Sequence, residues 1–189
     1  NAIAALCRLI DANPPSHRPW EAFKVISGLL CDPRFGSDLG ISMSDDVSGP
    51  LTCNPGLASF SKGVLSVVLD IRHPVTVKGD LVVERMKEKL APLGLTPVER
   101  SRNTPLFVPK DSPLIKDLSE AFFETTGKHP KVMAIGGGTY AKALPNVVAF
   151  APFPSGLPDL AHQADEYIGI EDLLSSVLVV KAAMLRLAR

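Results

Sequence analysis

Three features of this 189-residue chain bring together residue types that chemistry needs. His162 stands in the run Ala161-His162-Gln163-Ala164-Asp165-Glu166. A neutral imidazole binds zinc, and a neighbouring carboxylate can fix its tautomer, a task within reach of Asp165 or Glu166. The same pattern also describes a surface histidine hydrogen-bonded to an acid, and one histidine is not a metal site. Upstream, Gly136-Gly137-Gly138-Thr139 comes after an apolar stretch. Glycines let a backbone approach a ligand closely and aim N–H groups at an anion or a carbonyl, or they simply form a tight turn. The Gly-Lys-Ser/Thr ending of a phosphate-binding loop is missing. The third feature is Arg72, at the end of Leu69-Asp70-Ile71-Arg72-His73-Pro74. Its guanidinium could grip a carboxylate through two parallel hydrogen bonds, or it could pair with Asp70.

Periodicity and punctuation set the frame around these residues. Ala2, Ile3, Leu6, Leu9 and Ile10 predict a helix over residues 2–11, stopped by Asn13-Pro14-Pro15, with no cap expected before it. A second helix is expected over 19–31. Asp45-Asp46-Val47-Ser48-Gly49 is turn chemistry. Leu51 to Ser61 and Val64 to Ile71 read as strands of a hairpin turning at Lys62-Gly63. Residues 79–91 form an amphipathic helix whose Glu84, Arg85, Lys87 and Glu88 are a solvated face. Leu95 to Arg100 reads as a strand. This order resembles part of a ferredoxin-like α+β sandwich whose first strand would lie before Asn1.

Asn103 to Asp111 is a proline-containing connector, which divides the chain at 1–109 and 110–189. Beyond it, a helix runs from Ser112-Pro113 to Glu124, with Gly127 as its cap. Val132 to Ile135 and Val147 to Phe150 are expected to be short buried strands. Residues 139–144 suit a short helix, Pro152 to Asp159 a loop, and Ile170 to Ala188 the last helix. The expected fold class is therefore α/β, with an incomplete ferredoxin-like α+β part first and alternating helices and buried strands after it.

Composition narrows the classes. Hydrophobic residues make up 46%, enough for a core. Twenty basic and 20 acidic residues give a net charge of zero with no basic stripe, which argues against a nucleic-acid partner. No apolar run reaches membrane-spanning length. Asn1 opens directly into a helical pattern without a basic leader, so the expected compartment is the cytoplasm. Cys7, Cys31 and Cys53 fit no zinc knuckle and read as reduced, partly buried thiols. His17, His73 and His129 sit in proline-flanked contexts without a site pattern. Trp20 and the phenylalanines read as core. No serine has a nucleophile context.

Four blocks together resemble a family. Asp46-Val47-Ser48-Gly49-Pro50-Leu51-Thr52-Cys53-Asn54-Pro55-Gly56 comes first, then Leu69-Asp70-Ile71-Arg72-His73-Pro74. Ile135-Gly136-Gly137-Gly138-Thr139-Tyr140-Ala141 and Ala161-His162-Gln163-Ala164-Asp165-Glu166-Tyr167-Ile168 come third and fourth. Their order is similar to that in dinuclear zinc dipeptidases of the peptidase V and carnosinase type, relatives of aminoacylases and glutamate carboxypeptidases. The resemblance implies that residues 1–109 are most of a lid domain and 110–189 the C-terminal part of a zinc-exopeptidase catalytic domain. It implies that His162 is a metal ligand and that Arg72 holds the substrate's carboxylate. It implies that Gly137, Gly138 and Thr139 line the substrate pocket and that Asn54 reaches the substrate.

The family's remaining zinc ligands and its general base have no counterpart here, so no catalytic residue is assigned. The family's oxyanion histidine lies just upstream of an Asn-Ala pair like Asn1-Ala2. The implied partners are a short peptide and an N-terminal part of the same protein, with pairing through the lid as a further option. The chain by itself is expected to be inactive. An aminoacylase or deacylase, and a non-catalytic binding or dimerisation module, are the alternatives.

Overall fold

A computed structural model describes residues 1–13, 20–135, 138–150 and 160–189. Among them are five α-helices and two small antiparallel sheets. The chain forms two units, Asn1–Pro105 with Ala134–Gly136, and Leu106–Met133 with Gly137–Arg189.

The first unit opens with α1 (Ala2–Ala12) and α2 (Trp20–Leu30). Asn1 caps α1, its side-chain oxygen accepting from the Ala4 N–H at 3.1 Å. The cap that the sequence was not expected to supply is thus the first residue itself, a residue type favoured there because its oxygen satisfies an orphan N–H. Asn1 Nδ2 also donates to Asn54 Oδ1 at 2.7 Å and to the Pro55 carbonyl at 2.8 Å, tying the start of α1 to the hairpin.

Strands β1 (Ser44–Asp45) and β2 (Gly49–Pro50) flank the expected turn. The hairpin is β3 (Thr52–Ser61) with β4 (Val64–Arg72), turning through Lys62 and Gly63 at positive φ. Cys53 faces Ile71 and Pro55 faces Leu69, and an irregularity between Pro55 and Leu57 shifts the register. Cys53, Leu69, Ile71 and Val67 belong to a core with Leu29, Leu30, Leu39, Ile41 and Leu51. Helix α3 (Gly79–Leu90) adds Val82, Met86 and Leu90 to it, so its 3.6-residue spacing is used as read. Gly36 has φ +68°, and a Cβ there would collide with Ile41 Cγ1, which is why glycine turns the chain beside the deepest core residue.

Leu95 to Arg100 is not a strand. Pro97 has no N–H to give a ladder, and Val98 is 77% exposed. A polar tie holds this stretch instead, with Arg102 pairing to Glu99 and to Asp80 at the start of α3. The ferredoxin-like reading therefore reaches only helix, hairpin and helix.

In the second unit, α4 (Pro113–Thr126) is capped by Ser112 and ended by Gly127 at φ +69°, as its sequence predicts. A 3₁₀ turn covers Tyr140–Ala143, and α5 (Ile170–Leu187) is the last helix. Leu118, Ala121 and Ala183 form the small core between α4 and α5, joined by Leu114, Val148, Phe150 and Ala182. Arg186 on α5 pairs with Asp117, Glu120 and Glu124 of α4.

The strands expected at Val132 to Ile135 and Val147 to Phe150 are not formed. A strand satisfies its backbone only against a neighbour, and among the described residues neither stretch has a paired strand. Val132, Met133 and Ile135 are exposed rather than buried. The alternation expected of an α/β layer is absent among the described residues here, which are helical or irregular. The expected Pro152 to Asp159 loop lies outside the described residues.

Candidate functional site

In the first unit, Asn54 and Asp70 are direct partners across β3 and β4, and Thr52 and Arg72 are the next pair on that face. Side chains alternate across a strand, so all four share one face of the hairpin, opposite Cys53 and Ile71. The hairpin thereby places an amide, a carboxylate and a guanidinium on one exposed patch above a buried core.

Arg72 Nη2 donates to Asp70 Oδ2 at 2.8 Å, with Nε 3.5 Å from Oδ1. The ion pair expected as the alternative for Arg72 is therefore present. Its hydrogen bonds and charge raise the Arg72 pKa above the ordinary guanidinium value. Nη1 and the second Nη2 hydrogen are not used in these contacts, so the guanidinium retains donors for a second acceptor. Asn54 receives a hydrogen bond from Asn1 on its oxygen, a bond that leaves its NH₂ group unused. Asn1 is thus a member of this patch that periodicity did not single out; the signal for it was an Asn directly before an apolar helical run.

Asp45 was also passed over, although the turn around it was expected. Its Oδ1 accepts from Val47 N at 3.1 Å, Ser48 N at 2.5 Å and Ser48 Oγ at 2.9 Å. Its Oδ2 accepts from Thr76 N at 3.2 Å and Thr76 Oγ1 at 2.8 Å. The backbone bond from Ser48 and the contacts to Thr76 hold this carboxyl far below the usual range. Ser48 Oγ in turn accepts from Val75 N at 3.0 Å. His73 comes directly after Arg72, its Nδ1 lying 2.9 Å from the Pro74 carbonyl oxygen.

The three cysteines are free. Burial pushes the Cys53 thiol up to about 11, with the Asp70 charge adding to it, and burial is also the first cause of the upward shifts at Cys7 and Cys31. The Arg8 charge opposes the rise at Cys7 and Cys31 without reversing it, so none of the three is a thiolate-favouring site. The phenylalanines are less uniformly core than expected. Phe122 is buried, whereas Phe35, Phe60, Phe107 and Phe123 are exposed, Phe60 against Phe23 at 5.3 Å and Phe123 stacked on His129 at 4.6 Å.

In the second unit, Gly138 and Thr139 precede the 3₁₀ turn, while Gly137 lies outside the described residues. His162 adopts a left-handed φ of 63° and Asp165 one of 59°, so this stretch is a pair of tight bends. The His162 backbone N–H donates to Glu166 Oε2 at 3.2 Å. Glu166 thus closes the loop on the backbone of His162. Among the described residues, no group of three or more His, Cys, Asp or Glu could hold a metal ion. One imidazole on an exposed loop does not fit a zinc centre by itself. No described helix is long and apolar enough to cross a membrane.

Comparison with known proteins gives this constellation a context. The chain is 33% identical over 190 residues, its whole length, to "Putative dipeptidase YtjP" of Bacillus subtilis (strain 168), and covers 40% of that protein. It is 28% identical over 156 residues to the Beta-Ala-Xaa dipeptidase of Lactobacillus delbrueckii subsp. lactis, a match over 82% of this chain and 33% of the relative. No protein-family model matches the chain. It therefore spans two fifths or less of the length of these relatives. The chain is thus similar along its whole length to part of a protein named as a putative dipeptidase.

Proposed function

We propose that the chain supplies the substrate-carboxylate side, and one metal ligand, of a zinc-dependent dipeptidase. The observation that carries this reading is the exposed hairpin face that holds Arg72 and Asn54 as diagonal neighbours, in a chain similar to dipeptidases along its whole length. A dipeptide ends in a carboxylate, and a guanidinium already held by Asp70 can turn its remaining donors to that group. Asn54 offers amide hydrogens beside it. Gly137, Gly138 and Thr139 would line the pocket around the rest of the peptide, and His162 would contribute one imidazole to the metal.

Zinc, when bound, would supply an activated water for attack on the peptide carbonyl. Among the described residues no group of side chains could hold that ion alone, so in this proposal the other ligands and the general base belong to a further part of the same protein. Residues 1–109 are then lid and 110–189 catalytic domain, working in the cytoplasm, and the 189-residue chain alone is inactive.

The test is a substrate panel on the longer protein that carries this segment. Dipeptides should be hydrolysed, with activity lost on chelation and restored by zinc. Faster turnover of N-acyl amino acids than of dipeptides would replace the reading with a deacylase.

A further inference from the structure

Arg72 ends a strand, and the anchoring of the backbone beyond a strand end decides whether its last side chain keeps one position. Here the chain beyond Arg72 is pinned by groups far away in sequence. Asp45 bridges two segments with one carboxylate, Oδ1 closing its own turn over Val47 and Ser48 and Oδ2 holding Thr76 by backbone and side chain. Ser48 Oγ takes the Val75 N–H, so two successive amides past Pro74 are fixed to the 45–48 turn. Pro74 itself is fully buried. The opposite flank of Arg72 is anchored too, since Cys53 N, next to the Arg72 partner Thr52, donates to the Arg34 carbonyl at 2.9 Å.

We propose that Asp45 and Ser48 are positioning residues that fix the strand end carrying Arg72, and so set how well the protein recognises the carboxylate end of its peptide. The inference rests on the reading of Arg72 as the carboxylate-binding residue. Neither residue touches the substrate; both act through Val75 and Thr76 on the backbone that presents the guanidinium. Misplacing a bidentate donor weakens its hold on a planar acceptor while leaving its charge in place.

Two substitutions separate the parts of the device. Asp45→Asn keeps the turn-side oxygen but sets an NH₂ group against the Thr76 N–H. Ser48→Ala removes the acceptor for Val75 and leaves the carboxylate intact. In the longer protein, KM would be measured for a dipeptide and for the same dipeptide with its C-terminal carboxylate converted to an amide. Amide hydrogen exchange at Val75 and Thr76 would be followed in the 189-residue chain. Exchange should accelerate at Thr76 in Asp45→Asn and at Val75 in Ser48→Ala. The preference for free dipeptide over amide should fall about tenfold in either variant, mainly through KM. A change that is only structural would raise both KM values alike or lower kcat for both substrates.

Arg72→Ala serves as the reference. If it leaves the carboxylate preference intact, the reading of Arg72 is wrong. If it abolishes the preference while Asp45→Asn and Ser48→Ala keep it, the positioning role is overturned and the reading of Arg72 stands.

Discussion

The two units hold their candidate residues by different means. In the first, Arg72 and Asn54 sit on a hairpin whose other face is sealed by a core that includes the fully buried Ile41 and Leu51. Side-chain bonds from Asn1, Asp45, Ser48 and Asp70 surround them. In the second, Gly138, Thr139 and His162 lie on irregular segments and tight bends, and the adjoining core is small. On α5 only Val179 and Ala183 are buried, while Leu173, Leu174, Val177, Leu178, Met184 and Leu185 are exposed. Preorganisation is therefore concentrated on the hairpin of the first unit, and the histidine loop depends on local turns.

This contrast can be broken by truncating one apolar residue in each unit. Leu51→Ala removes a side chain with 0% exposure and should cost about 3 kcal/mol in chemical denaturation. Leu178→Ala removes one that is 56% exposed and should change stability by less than about 0.5 kcal/mol. Equal costs would show that the units are packed alike.

Polar ties come next in size. Arg186→Ala leaves Asp117, Glu120 and Glu124 without their shared cation and should destabilise the second unit by about 1 kcal/mol, an effect that salt should reduce. Asn1→Ala removes the α1 cap and its bonds to the hairpin, and thermal unfolding should register a loss of about 1 kcal/mol in the first unit.

Acid gives a finer distinction. The Asp45 pKa is depressed on folding below its ordinary 3.8, so its stabilisation is fully present above that value and is lost as pH falls through the lower folded value. The melting temperature of the first unit should therefore fall below about pH 4, and Asp45→Asn should flatten that part of the curve. At neutral pH, thiol labelling should spare Cys53, buried and with its pKa pushed up to about 11, and modify the partly exposed Cys31 first.

Local signals were legible in the sequence wherever they were self-contained. The hairpin around Lys62-Gly63, α3 with its apolar spacing, and α4 between Ser112 and Gly127 carry their own turns and caps. Arg72 stood out by its place at the end of an apolar strand and Asn54 by motif resemblance, and that hairpin frames both. The strands at Leu95, Val132 and Val147 were misread because an apolar run states only that a residue prefers cover, whereas a strand also needs a neighbouring backbone. Asp45 was invisible for a related reason. Its value comes from Val75 and Thr76, which only the fold brings to it and to Ser48.

Zinc binding together with dipeptide hydrolysis, measured in parallel on the 189-residue chain and on the longer protein, probes the proposed division of the site. The chain should retain no stoichiometric zinc and show no turnover, while the longer protein should bind zinc and hydrolyse dipeptides in a manner that Arg72→Ala weakens. Robust zinc-dependent hydrolysis by the 189-residue chain would overturn the proposed division of the site.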